Sequence, residues 1–194
     1  MQGVIFLPPK PKVTKESIVN AAFEILRKEG IDKINARAVC ERLNCSTQPI
    51  FWHFKNMEEL KDETIRKAKD LYNEYIQTAL KEPLPFKAAG LAYIKFAKDE
   101  PLLFSLLFMK DNHNINPGGT EYDENYNEVL SAAESSSGLS QKNTKILYFH
   151  LWIYVHGIAT LLATKTEIFT DEQISSMLTA AYQAFTEKYN EEEN

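Results

Sequence analysis

The chain has 194 residues, 44% of them hydrophobic, enough to bury one large or two small cores, which excludes disorder as its main state. Seven glycines and eight prolines are too few for the many tight turns of an all-β sandwich, so a mostly helical chain is the first inference. A net charge of −5 and a pI near 5.5 argue against coating nucleic acid through bulk positive charge, while a local basic face stays open.

The chain starts MQGVIFLPPK, whose four consecutive apolar residues and two prolines do not make the apolar core of a signal peptide. Lys10, Lys12 and Lys15 form a small basic run, and residues 1–60 carry nine Lys/Arg against seven Asp/Glu, whereas residues 61–194 carry thirteen against twenty. From Thr14 the spacing predicts a first helix: Thr14 can cap it, Ile18, Ala21, Ala22, Ile25 and Leu26 recur at helical intervals, and Gly30 follows the last turn. Asn35 caps a short second segment, ARAVCERL, with Ala36, Val39, Cys40 and Leu43 on one side. Cys40 and Cys45 fit neither a zinc pair nor a redox CxxC, so they read as reduced, packed thiols of a cytosolic protein. After Asn44-Cys45-Ser46, either Ser46 or Thr47 can cap a third short helix, TQPIFWHF, which tolerates Pro49 in its first turn. Asn56 followed by Glu59 resembles a capping box for a fourth, longer helix ending between Lys81 and Pro85, with Leu60, Ile65, Ala68, Leu71, Tyr72, Tyr75 and Ala79 on one side.

Helical patterns continue over residues 86–98 and, strongly apolar, over 101–109; residues 111–119 read as a loop. Further helices are predicted over 122–135, 142–165 and 171–187, the last capped by Thr170, with a Ser/Gly loop over 135–140 and a frayed EEEN end. The apolar run 146–163 holds Tyr148, His150, Trp152, Tyr154 and His156, which marks a helix buried within protein rather than a membrane span.

Three short helices within the first 55 residues, the second and third separated by a three-residue turn, are what a helix-turn-helix DNA reader requires. Thr47 and Gln48 on the first turn of the third helix can hydrogen-bond base edges, Gln being suited to bidentate pairing with adenine. The first helix with Ala21-Ala22 and Gly30, Arg37-x-Val39, Ser46, and above all Phe51-Trp52-His53-Phe54 followed by Glu58-Glu59-Leu60, resemble the N-terminal signature of the TetR family of transcriptional regulators. The resemblance covers residues 14–60. Beyond it, Trp152-x-x-x-His156-Gly157 is similar to a Trp-His-Gly segment in the C-terminal domain of one branch of that family.

This resemblance implies a cytoplasmic, all-α homodimer of about nine helices per chain. Residues 1–57 would form the arm and helix-turn-helix domain, and residues 58–194 a helical ligand-binding and dimerisation domain joined through the fourth helix. Such a protein binds a palindromic operator, usually as a repressor, and leaves it when a small-molecule inducer enters the C-terminal domain; the switch expected for this chain is a shift of the fourth helix by that ligand. Carried over, Ser46 would open the reading helix and Thr47, Gln48 and Pro49 would lie at base edges. Phe51, Trp52 and His53 would stand beside the phosphates, the aromatic rings also packing the third helix onto the first. Arg37, Thr14 or Lys15, and Lys55 with the backbone amide of Asn56, would hold the sugar-phosphate chain. The chain departs from the family at Phe51, where Tyr is usual, at Met57, where Lys is usual, at Asn44-Cys45 for Gly-Val, and at Gln48-Pro49 for Gly-Thr.

In the second domain Tyr93, Phe96, Phe104, Phe108, His150, Trp152 and His156 are the candidates for an aromatic-rich pocket that would take an apolar or aromatic inducer, cationic in one version. His150 and His156 read either as pocket residues or as internal hydrogen-bond partners; their spacing does not suit a metal pair. The last two helices are apolar on more than one face and are expected to form a four-helix interface with a twofold mate, with Gly157, Ala159 and Ala163 permitting close approach. No cofactor, metal or membrane partner is expected. The sequence holds no G-x-S-x-G, H-E-x-x-H or phosphate-cradling glycine loop, so the enzyme reading lacks support. A DNA-binding regulator controlled by a protein partner is the other alternative.

Overall fold

A computed structural model describes residues 13–109 and 123–193. The basic run at Lys10 and Lys12, the chain start and the loop expected over 111–119 lie outside them. Among the described residues the chain forms nine α-helices and no strand. They fall into two compact units, Met1–Arg66 and Lys67–Asn194.

In the first unit, α1 (Lys15–Glu29) begins at a full capping box: the Thr14 hydroxyl accepts from the Ser17 amide at 3.1 Å, and Ser17 Oγ accepts from the Thr14 amide at 3.0 Å. It ends at Gly30, whose φ of 91° only glycine adopts readily. Ile18, Ala21, Ala22, Phe23, Ile25 and Leu26 are buried and form the floor of the core. A 3₁₀ turn (Ile31–Lys33) leads to α2 (Ala36–Leu43), capped by Asn35 Oδ1 on the Ala38 amide at 3.0 Å. Asn44, in the left-handed conformation, ends α2: its amide donates to Glu41, and the Cys45 amide donates to Cys40 at 3.1 Å, the pattern of a Schellman motif. That motif sets Cys40 against Cys45, and both thiols are free. Burial, with Cys45 beside it, pushes the Cys40 thiol up to about 11, so it behaves as a small apolar side chain.

The third helix, α3 (Gln48–His53), is two residues shorter than the pattern suggested. Thr47 sits at its cap position with helical dihedrals and makes no side-chain cap, so of the two expected hydroxyl caps the one from Thr47 is corrected. Ile50 and Phe54 are the residues that bury α3 against the unit's core. The start of α4 (Met57–Ala79) is a shifted capping box: Asn56 Oδ1 accepts from the Glu59 amide at 2.9 Å, while the Glu59 carboxylate accepts from the Lys55 amide at 2.6 Å, one residue before the cap.

The second unit contains the rest of α4 and α5 (Pro85–Asp99), α6 (Pro101–Phe104), α7 (Tyr126–Ser137), α8 (Gln141–Ala163) and α9 (Asp171–Glu193). The helix expected over 101–109 is α6 followed by a π-helical stretch, Ser105–Met109. α7 starts later than expected because the Asp123 carbonyl and carboxylate hold a turn, accepting from the amides of Tyr126 and Asn125 at 2.9 and 2.8 Å. It also runs to Ser137, since the hydroxyls of Ser135 and Ser136 bond back to the carbonyls of Ser131 and Ala133. Gly138, at φ 67°, then stops it. α9 starts at a second capping box, Thr170 with Gln173, and continues beyond residue 187 because Tyr189 is buried against α8. α8 is long and apolar enough by composition to cross a membrane, yet it packs against α5, α6, α7 and α9, with Leu147, Leu151, Val155, Ile158 and Ala159 buried. This makes it the central helix of the unit.

Candidate functional site

The first unit presents α3 as an amphipathic wedge. Ile50 and Phe54 face inward, and Ser46, Thr47 and Gln48 stand exposed at its start, with Pro49 half-buried. The same partition exposes Phe51, at 51%, and Trp52, at 71%, together with His53. The expectation that the Phe51 and Trp52 rings pack α3 onto α1 is therefore corrected: the helical period gives the buried face to Ile50 and Phe54, leaving the other rings outward. Two large apolar side chains on one exposed turn, beside polar ones, mark a surface that covers something.

Two of the cations around this wedge, Lys15 and Arg37, are already engaged. Lys15 Nζ lies 2.7 Å from Glu63 Oε1 and 5.5 Å from the centre of the Phe54 ring, and this ammonium holds the Glu63 carboxyl below its ordinary range. Arg37 Nε donates to Glu41 Oε1 at 2.8 Å, which raises the guanidinium further above its ordinary value. Both pairs are largely exposed, and such pairs contribute little, about 0–1 kcal/mol, so exchanging the carboxylate for another anion costs little. Thr14 is committed to its capping box, and the Lys55 amide to Glu59; the Lys55 side chain is exposed.

The second unit encloses a cavity of about 650 Å³. Of the sequence candidates, Tyr93 and Trp152 line it; Phe96, Phe104, Phe108, His150 and His156 do not. Phe96 and Phe104 are fully buried in a ring cluster with Tyr72, Tyr93 and Phe108, their centroids 4.9 to 6.5 Å apart. His150 is drawn to α9, its Nδ1 2.5 Å from the Tyr189 hydroxyl. His156 Nδ1 lies 2.9 Å from the Tyr93 hydroxyl and its ring stacks on Trp152, so it holds two lining residues from behind. Burial lowers the His156 pKa, which favours the neutral imidazole.

The walls missing from the sequence reading include Tyr72, Phe86, Asp123, Tyr148 and Leu178. Two stripes could have been found from spacing alone: Phe86, Ala89, Gly90 and Tyr93 on α5, and Tyr148, Leu151, Trp152 and Val155 on α8. A side chain at Gly90 would meet Val155 and Leu178, both 3.5 Å from its Cβ position. Asp123 carries no local signal. Its Oδ2 accepts from the Tyr72 hydroxyl at 2.6 Å, and its Oδ1 from the amide and side chain of Asn125 at 2.8 and 3.0 Å. Burial, then the nearby Asp123 charge, raises the phenols of Tyr72, Tyr93 and Tyr148 above their ordinary range, so all three stay protonated.

Residues 18–64 match the description "Bacterial regulatory proteins, tetR family". The chain is 26% identical over 120 residues to the class D tetracycline repressor protein of Escherichia coli, covering 61% of this chain and 51% of that protein. It is 31% identical over 91 residues to the class G protein of Vibrio anguillarum, covering 42% and 43%. The chain thus spans about half the length of the curated relatives it matches. Among solved structures, a TetR transcriptional regulator from Streptomyces coelicolor superposes with a TM-score of 0.65 at 18% identity, covering 90% of this chain and 98% of that one. A TetR variant from Acinetobacter baumannii in complex with minocycline gives 0.54 at 20%, covering 92% and 99%. At these identities the likeness is one of fold.

Proposed function

Because residues 18–64 match the model of the tetR family of bacterial regulatory proteins, we propose that the chain is a transcriptional regulator of that family that binds an operator sequence as a twofold dimer. The observation that carries this is the start of α3. Thr47 and Gln48 are exposed, free of capping duty and set on a helix anchored by Ile50 and Phe54. An α-helix fits the major groove, and polar side chains at its first turn reach base edges. Phe51, Trp52 and His53 stand where the sugar-phosphate chain would pass, and Arg37, Lys15 and Lys55 supply charge to it. Two reading heads related by a dyad meet half-sites about one helical turn, ~34 to 36 Å, apart.

The protein acts as a repressor, and a small molecule in the cavity of the second unit releases it. The cavity has the size and the mixture of apolar wall and few polar groups usual for such sites. The coupling works only if the ligand binds the released state better than the DNA-bound one, and by linkage operator DNA then weakens ligand binding by the same factor. Dimerisation uses α8 and α9: Phe149, Ile153, Tyr154 and Gly157 form an exposed stripe on α8. Footprinting across the protein's own promoter region at moderate salt is expected to show a protected palindrome. Equal affinity for all duplexes would overturn the proposal.

A further inference from the structure

The cavity's polar groups are unequal, and the inequality names a ligand class. Its inner wall holds one carboxylate, Asp123, beside the rings of Tyr72, Tyr93 and Tyr148, which are 6%, 5% and 8% exposed. The Asp123 oxygens accept three hydrogen bonds, all from neutral donors on Tyr72 and Asn125. Such donors hold the carboxylate in place but leave its charge uncancelled, and no Lys, Arg or His among the described residues pairs with it. Outside the cavity, the exposed Glu124 accepts from Asn73 at 2.8 Å and the exposed Glu128 from Gln77, so neither supplies a cation to Asp123.

The cavity's cation, Lys87, sits elsewhere. It follows the exposed turn of Pro83 and Leu84 and donates to Thr179 Oγ1 at 2.9 Å, half-exposed as Asp123 is. Asp123 differs from Lys87 in its surroundings: it bonds to the buried Tyr72, whose ring meets that of Tyr93, so a ligand charge placed at these rings meets the carboxylate. Ring faces attract cations, and they do so more strongly where water is excluded. Phe86, Leu151, Val155 and Leu178 supply apolar wall.

We propose that the cavity selects an apolar organic cation, its charged centre at Asp123 among the three tyrosine rings and its body against Phe86, Leu151 and Leu178. This rests on the reading of the cavity as a ligand site. An inorganic cation, which the apolar wall cannot solvate, does not fit these walls, and an anion does not fit their Asp123 end.

The test uses calorimetric titration of the full chain with three probes of similar bulk: tetraphenylphosphonium, triphenylphosphine oxide and triphenylacetate. The cation is expected to bind at least tenfold tighter than the neutral and anionic probes. Asp123→Asn, which keeps the shape and removes the charge, should weaken the cation at least tenfold and leave the neutral probe within about twofold. Lys87→Gln, which removes only the rim cation, should keep or strengthen the cation preference, and it carries the test if the Asp123 variant does not fold. Equal binding of the three probes, an anion preference, or loss of cation preference in Lys87→Gln overturns the cation assignment while leaving a ligand cavity. Absence of binding by all three counts against the cavity as a ligand site and removes this inference with it.

Discussion

Gln48 and Lys55 stand seven residues apart on one exposed surface and are proposed to do different work. Gln48 begins a helix and can pair bidentately with a base edge, so Gln48→Ala is expected to cost about 1–3 kcal/mol on the best operator and to relax preference at one base position. Lys55 supplies a charge without sequence information, so Lys55→Ala should weaken every duplex alike and reduce the dependence of affinity on salt by about one ion. Binding of both variants to a set of operator mutants at several salt concentrations separates the two; identical behaviour would show the sorting to be wrong. In the second unit, His156 makes a pH-dependent contribution. Its pKa in the fold is lowered by burial, so the folded state binds fewer protons than the unfolded chain below about pH 6.5. The stability it contributes is present above that pH and is lost as pH falls toward the lower folded value. The melting temperature should fall more between pH 7.5 and 5.5 for the wild type than for His156→Gln. Parallel curves would show that burial of this imidazole has no energetic consequence.

At the scale of elements, α3 divides its apolar residues between folding and surface, which makes a test of which are which. Ile50, at 0% exposure, and Phe54, at 2%, fill the core of the first unit, so Ile50→Ala and Phe54→Ala should each cost about 2–5 kcal/mol in urea unfolding. Trp52→Ala, on the exposed side, should stay within about 0.5 kcal/mol. A large loss at Trp52 would mean that the ring packs inward after all. This division also explains what the sequence could and could not give. Helix starts at Thr14, Asn35, Asn56 and Thr170 were legible, because a cap is made within three residues of itself. The pattern FWHF was legible as a motif, but not which of its rings is buried, since that depends on α1. The end of α9 was misread because its anchor, Tyr189, lies in a polar tail and finds its partners on α8, some forty residues away. The cavity was half legible. Tyr93 and Trp152 sit on apolar stripes, whereas Asp123 meets Tyr72 across 51 residues of chain, and no local spacing encodes that meeting.

For the whole molecule, the acidic total conceals a division: the basic excess belongs to the first 60 residues, and the remainder carries thirteen Lys/Arg against twenty Asp/Glu. A regulator that reads a few phosphates per subunit, partly through helix ends without formal charge, does not need a high pI, provided that two subunits act together. Affinity then depends on the dimer, and the dimer on a surface that one chain leaves uncovered. α8 supplies it. The helix buries Leu147, Leu151, Val155 and Ile158 on one side, yet Phe149 is 46% exposed and Ile153 50%, with Tyr154 and Gly157 beside them. Among the described residues no atom of another part of the chain comes within 4 Å of the position a Cβ would take at Gly157, so a second helix could approach closely there. Ile153→Glu would place a carboxylate in the middle of this stripe, where a partner would have to bury it unpaired. Sedimentation of this variant at micromolar concentration should give a monomer with unchanged helical content. Its operator affinity should fall by more than tenfold, because each subunit alone makes half the phosphate contacts. An unchanged dimer in Ile153→Glu would move the twofold interface off this face of α8, and with it the expected spacing of the two reading heads.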